Sequence, residues 1–254
     1  MVVIYNTLLV IHISFGFASL VLFWIPIFSR KGGNLHVQIG NWYVNAMYIV
    51  GFTAIAAASI VMSDPIAIKH VGNTFSAEEM QRVLNHERNI SQFLLSISLL
   101  VISNVQHGVL SLKAKQNHSL MRASSHLFIN VLLVAAGVGL LLSANGSTKI
   151  LFYVFAGISI TAGLRQLHYC LKSEVSKMEW MIAHMGAMIG AGIGSYTAFA
   201  VFGGGRYLAE YLHGNWILLP WIAPGVIGGM FTAYLTKKYR KKYNIATKPS
   251  PLTK

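Results

Sequence analysis

The sequence predicts an all-α membrane protein, a polytopic bundle of about seven transmembrane helices, amino terminus outside and carboxyl terminus cytoplasmic. Three observations carry that expectation. Apolar residues make up 54% of the 254, and only 11% are charged, less than half of the roughly 25% usual in soluble domains. The apolar residues are gathered into runs of about 20, the length that crosses a hydrocarbon core of roughly 30 Å. The basic residues stand at the ends of those runs, and mostly on one side.

Taken in order, the runs place spans near residues 5–28, 42–63, 90–112, 119–143, 150–171, 179–203 and 215–236. Inside lipid each backbone amide must be paired within its own segment, so these are helices; the alternation of a membrane β-barrel is absent. The first run has no basic stretch before it and exceeds the roughly 7–15 apolar residues of a signal-peptide core, which makes it a retained helix. The longest connection, 64–89, holds Ser76 and Glu79 at capping-box spacing, so a helix is expected from Ala77 and can run on into the third span. Residues 203–214 read as a turn and a short interfacial segment, with Tyr211, Trp216 and Trp221 at the level of the membrane surface. Pro220 and Pro224 predict a kink early in the last span. Residues 1–236 thus form one transmembrane domain, and 237–254 a basic tail.

Orientation follows from the basic residues. Arg30, Lys31, Lys113, Lys115, Arg122, Lys172 and Lys177 fall in the connections on one side, together with Lys237, Lys238, Arg240, Lys241, Lys242, Lys248 and Lys254 of the tail. The other side holds Lys69, Arg82, Arg88, Lys149 and Arg206, offset by Asp64, Glu78, Glu79, Glu87 and Glu210. The net charge of +13 is therefore cytoplasmic topology and not a nucleic-acid surface. A bacterial plasma membrane is the expected location. The single cysteine, Cys170, rules out an intramolecular disulfide and a zinc-ribbon site.

Ten histidines in so apolar a chain call for an explanation. His36, His70, His86, His118 and His213 lie in connections or at helix ends, but His12, His107, His126, His168 and His184 fall inside spans. Ionisable groups there are costly and usually face the bundle interior. His107, His126, His168 and His184 come from four consecutive spans, each within a few residues of the inner end. At 1.5 Å per residue they share a layer roughly 5–10 Å below the boundary. Each sits on a polar stripe: Gln92, Ser96, Ser103 and His107; His118, Arg122, His126 and Asn130; Thr161, Arg165, His168 and Lys172; Trp180, His184 and Met188. Gly186, Gly190 and Gly194 add a small-residue strip on the sixth span that permits close helix approach.

Such a layer predicts a ligand site. Two imidazoles on facing helices can hold haem b axially, with Arg165 or Arg122 pairing a propionate. Three or four can bind copper, zinc or iron directly. No aspartate or glutamate lies in a span interior, which disfavours a di-iron carboxylate centre. Cys170 reads as a packing residue, with a soft-ligand role beside His168 as the alternative.

In the amino-terminal quarter, His12-Ile13-Ser14-Phe15-Gly16 precedes a loop whose Lys31, Gly32, Gly33, His36 and Gly40 form the pattern KGG-x-x-H-x-x-x-G. Over about 60 residues this resembles the family of multi-pass membrane proteins called domain of unknown function 2306. The resemblance implies a membrane location and no activity. Physically, the two glycines allow a tight turn, and His36 is either exposed on that turn or an extra ligand at the mouth of the site.

The expected function is a membrane haem- or metal-binding protein, redox or electron-transferring, working with a quinone or another redox partner. The alternative is a proton-coupled transporter or small-molecule-binding protein without a cofactor, its histidines lining a path gated near pH 6.5.

Overall fold

A computed structural model describes residues 1–115, 117–146, 149–173, 175–208 and 210–245. All regular structure among them is helical: α1 (Val2–Phe28), α2 (Asn34–Ser63), α3 (Pro65–Lys69), α4 (Ala77–Ala114), α5 (Ser124–Leu142), α6 (Lys149–Leu171), α7 (Glu179–Ala198), α8 (Gly205–Leu208) and α9 (Leu219–Lys242). A 3₁₀ turn covers His118–Arg122 and a π turn, Phe199–Gly203, prolongs α7.

Six helices are long and apolar enough to cross a membrane: α1, α2, α4, α5, α6, and α7 with its π turn. The expected seventh, α9, forms as a helix but is not among them. Pro220, Trp221, Pro224, Gly225, Gly228, Gly229 and Tyr234 dilute its apolar run, and Lys237 to Lys242 close it. The basic residues 237–242 thus continue α9, where a separate tail was expected. Asn244 ends the helix in the left-handed region (φ 51°), and Ile245 N–H reaches back to Arg240 O at 3.0 Å, closing a Schellman-type cap. Residues 246–254 of the expected tail, with Lys248 and Lys254, lie outside the described residues.

The helices gather into two compact units. One comprises Met1–Ile102 and Ile129–Arg165, the other Ser103–Phe128 and Gln166–Lys254, so α4, α5 and α6 each give one end to either unit.

In the first unit α1 pairs with α2. Only Ser19, Leu20 and Phe23 of α1 are buried, as suits an apolar helix that faces lipid. The KGG-x-x-H turn is a helix cap. Gly32 has φ +74°, and a side chain on Gly33 would press on Arg30 O at 3.1 Å. Lys31 Nζ donates to Pro26 O and Ile27 O at 2.8 and 2.7 Å, and His36 Nδ1 to Pro26 O at 3.0 Å. The carbonyls left without donors at the end of α1 are thereby satisfied, which gives His36 a structural partner. His12 likewise braces the pair, donating Nδ1–H to Val50 O at 3.1 Å.

The connection to α4 is pinned by charge. Glu87 accepts from Lys69 Nζ at 2.9 Å and lies 3.2 Å from His70 Nε2. The expected capping box is present: Glu79 N–H donates to Ser76 Oγ at 3.3 Å and Ser76 N–H to Glu79 Oε2 at 2.9 Å. From there α4 runs unbroken for 38 residues, roughly 57 Å at 1.5 Å per residue, almost twice a hydrocarbon core. In the same unit α5 and α6 meet where both lack side chains. A Cβ at Gly137 would stand 3.1 Å from Ala156 O, and one at Gly163 would stand 3.0 Å from Asn130 O. Ser96 and Ser159 bond at 3.2 Å, and Phe93 stacks on Phe152 at 5.8 Å.

In the second unit the end of α4 is tied to α6 and α7. Ser103 Oγ donates to Gln166 Oε1 at 2.9 Å, and Gln166 Nε2 to Asn104 Oδ1 at 3.0 Å. Gly190 of α7 lets the Asn104 side chain come close: a Cβ there would stand 3.3 Å from Asn104 Nδ2. Before α7, Lys172 Nζ meets Glu179 Oε1 at 2.6 Å and Ser176 N–H caps onto Glu179 Oε2 at 3.1 Å.

Candidate metal centre

The second unit contains the chemistry. His107 lies two turns before the end of α4, His126 is the third residue of α5, and Cys170 is next to last in α6. All three are buried, at 5%, 0% and 0% exposure. His107 Nδ1 and His126 Nε2 are 3.0 Å apart, one donating to the other. One nitrogen of each ring and Cys170 Sγ offer three donor atoms within 4.8 Å of one another.

Such a set fits one ion. With metal–nitrogen bonds of about 2.0 Å and metal–sulfur bonds of about 2.3 Å, donors around an ion stand roughly 3.3–3.7 Å apart. The imidazole pair needs to open by a few tenths of an ångström, and the sulfur to close by about 1 Å at most. The hydrogen-bond proton between the rings then moves to an outer ring nitrogen, leaving two converging lone pairs. A haem held by the same pair would need the nitrogens roughly 4 Å apart, twice a metal–nitrogen bond, with a flat macrocycle between the rings. The observed 3.0 Å is closer to the spacing of two ligands on one ion than to that of two axial ligands of a haem.

Apolar side chains pack around the sulfur. Cys170 packs in a cluster with Ala114, Met121 and Tyr169, flanked by Leu110, Leu127, Val175 and Ala183. The Tyr169 ring stands edge-on to His107 at 5.2 Å and to His118 at 5.0 Å.

The C-terminal carbonyls of α6 are held by the 3₁₀ turn. His118 Nε2 donates to Tyr169 O at 2.7 Å, Arg122 Nε to Cys170 O at 3.3 Å, and Arg122 Nη2 to Lys172 O at 3.0 Å. This turn fixes Cys170 and delivers the chain into α5 just ahead of His126. Arg122, expected beside a propionate, has its guanidinium on backbone carbonyls.

Of the four histidines expected to meet, the structure brings together His107 and His126. His184 is half-buried and donates Nδ1–H to Gly108 O at 2.9 Å, one residue from His107 on α4. His168 and Arg165 are exposed. The polar stripe of α6 that was expected inside therefore points outward, and its reason is physical: near a helix end, Arg165, His168 and Lys172 can extend their heads to the interface. The inner face of α6 is Ser159, Gly163, Gln166 and Cys170, all buried and at steps of four, three and four. Cys170, expected as packing, is also the third member of the donor set. Its signal in the sequence was that spacing.

Comparison with protein-family models, with curated proteins and with solved structures finds no match for this chain.

Proposed function

We propose that this chain is an integral membrane protein that binds one copper(I) ion at His107, His126 and Cys170. The convergence of two imidazoles and a thiol within 4.8 Å in an apolar setting is the observation that carries the reading. Thiolate with imidazole selects copper or zinc over harder ions. Charge decides between them. A copper(I) ion on one thiolate and two neutral imidazoles has no net charge, whereas zinc(II) or iron(II) leaves a buried +1, which a low-dielectric interior penalises heavily. Copper(I) also accepts three donors without a fourth.

Redox or electron-transfer activity with a quinone or a similar partner belongs to this reading, as does α9 acting as a seventh span with the basic ends of the helices in the cytoplasm of a bacterium. We also take the chain as a relative of the domain of unknown function 2306 family through its KGG-x-x-H turn. The deciding experiment is a titration of purified protein with copper(I) against a chromophoric chelator, with X-ray absorption on the loaded protein. One ion per chain, bound by two nitrogens and one sulfur, is expected, with loss of binding in the His107→Ala and His126→Ala variants. Absence of stoichiometric copper, or a coordination sphere without sulfur, refutes it.

A further inference from the structure

His118 belongs to none of the roles described so far except the capping of α6, and one of its atoms is unexplained. Its Nε2–H is committed to Tyr169 O at 2.7 Å. Its Nδ1 is sealed from solvent and has no hydrogen-bond partner. An unpaired buried polar atom is costly, so an ordinary capping residue does not need to be a histidine held in this way. The arrangement is the one that prepares an imidazole to ligate: one ring nitrogen donates to a backbone carbonyl, which fixes the tautomer and leaves the lone pair on the other.

Place gives that lone pair a purpose. His118 lies on the 3₁₀ turn between α4 and α5 and is half-buried, at the same end of α6 as Arg122 and Lys172. The Tyr169 ring stands edge-on to His118 at 5.0 Å and edge-on to His107 at 5.2 Å. Tyr169 is also the chain neighbour of Cys170. One aromatic ring thus touches both a half-buried imidazole and a donor of the buried set, and its own residue adjoins a second donor.

Resting on the copper reading above, we propose that His118 is the exchange ligand through which copper(I) enters and leaves the His107–His126–Cys170 site. A local opening of the turn exposes His118 Nδ1, otherwise sealed, which takes the ion, and Tyr169 swings aside. His107 and Cys170 then replace His118 in the coordination sphere. No electron is transferred, and copper stays copper(I) throughout. The thiol proton of Cys170 leaves to solvent as the sulfur takes the ion. A waypoint lowers the barrier in both directions and leaves the equilibrium alone, which separates it from a ligand of the resting site and from a merely structural residue.

The test uses full-length protein in lipid nanodiscs. Loading is followed from a weak copper(I) chelate and stripping by a strong chromophoric one. His118→Gln keeps a donor for Tyr169 O and removes the imidazole lone pair. The expected result is unchanged stoichiometry and affinity with loading and stripping both slowed by at least about tenfold, the lower end of the effect of changes around a ligand set. If His118→Gln does not fold, His118→Asn, which also offers an amide donor toward Tyr169 O and carries no imidazole lone pair, gives the same readout. Unaltered rates overturn the proposal while leaving the buried site standing. Weaker affinity with faster release alone also overturns it, since His118 would then be a ligand of the resting ion. Failure of the wild type to bind copper(I) at all appears before any variant is made and removes the site itself.

Discussion

Replacing Cys170 by serine separates the chemical from the packing role of the one sulfur in the donor set. The side chain is fully buried among Ala114, Met121 and Tyr169, and its size hardly changes. A serine hydroxyl in a helix can donate to the carbonyl four residues back, so the unloaded protein should lose only about 1–2 kcal/mol. Binding should suffer far more. Structural zinc sites are worth roughly 10–16 kcal/mol over four ligands, or about 3 kcal/mol each. At 1.4 kcal/mol per decade, that is a loss of roughly 100-fold or more in copper(I) affinity. The loss is a lower bound, because the serine site would also keep an uncompensated positive charge in an apolar wall. Competition titration against a copper(I) chelator measures the affinity, and thermal unfolding of metal-free protein in detergent checks the fold. A folded Cys170→Ser variant with affinity within about threefold of wild type would refute the assignment of sulfur as a ligand.

Other consequences are as direct. His168→Ala and Arg165→Ala, both at exposed positions, should leave copper stoichiometry and affinity as in the wild type; a loss of binding in either would return the α6 polar stripe to the interior. Gly163→Ala drives a methyl onto backbone atoms, 3.0 Å from Asn130 O and 3.4 Å from Val134 N, and should cost about 1–3 kcal/mol in thermal unfolding. Gly157→Ala, with nothing within 4 Å, should be neutral or mildly stabilising, so equal effects at the two glycines would contradict the α5–α6 contact. Glu87→Gln weakens the hold on Lys69 and His70, whose partial exposure limits the cost to about 1 kcal/mol. Its readout is faster limited proteolysis between residues 64 and 76, and unchanged cleavage would show the ion pairs to be idle.

The helices were legible in the sequence because length and apolarity are one-dimensional properties. The capping box at Ser76 and Glu79 located the start of α4 to the residue, since its bonds are local. The seventh span was harder. Pro220, Pro224 and three glycines leave enough helix propensity to form α9, yet lower its apolarity below that of the other six. The KGG-x-x-H turn marked a bend, but only three dimensions show Lys31 and His36 sharing the carbonyl of Pro26.

The site divides along the same line. For a soluble helix, the polar face is the outer one; for a membrane helix, lipid reverses that rule in the middle and water restores it near the ends. His107 and Ser103 lie far enough inside α4 for the reversed rule, and both are buried. Arg165, His168 and Lys172 lie within the last turns of α6 or just beyond, where long polar side chains reach the interface, so the direction inferred from mid-membrane logic failed there. Size resolves the ambiguity that polarity leaves. Ser159, Gly163, Gln166 and Cys170 present small or amide side chains at helical steps, which an inner face needs for close approach and which a lipid face has no use for. His126 follows the same logic from the other end. It lies in the first turn of α5 and would be free to reach the interface, but Arg122 and His118 bind the preceding turn to the end of α6 and leave the imidazole directed at His107. The donor set is therefore assembled by the turn, and the residues that set its geometry are backbone carbonyls of α6 that no reading of side-chain pattern could bring forward.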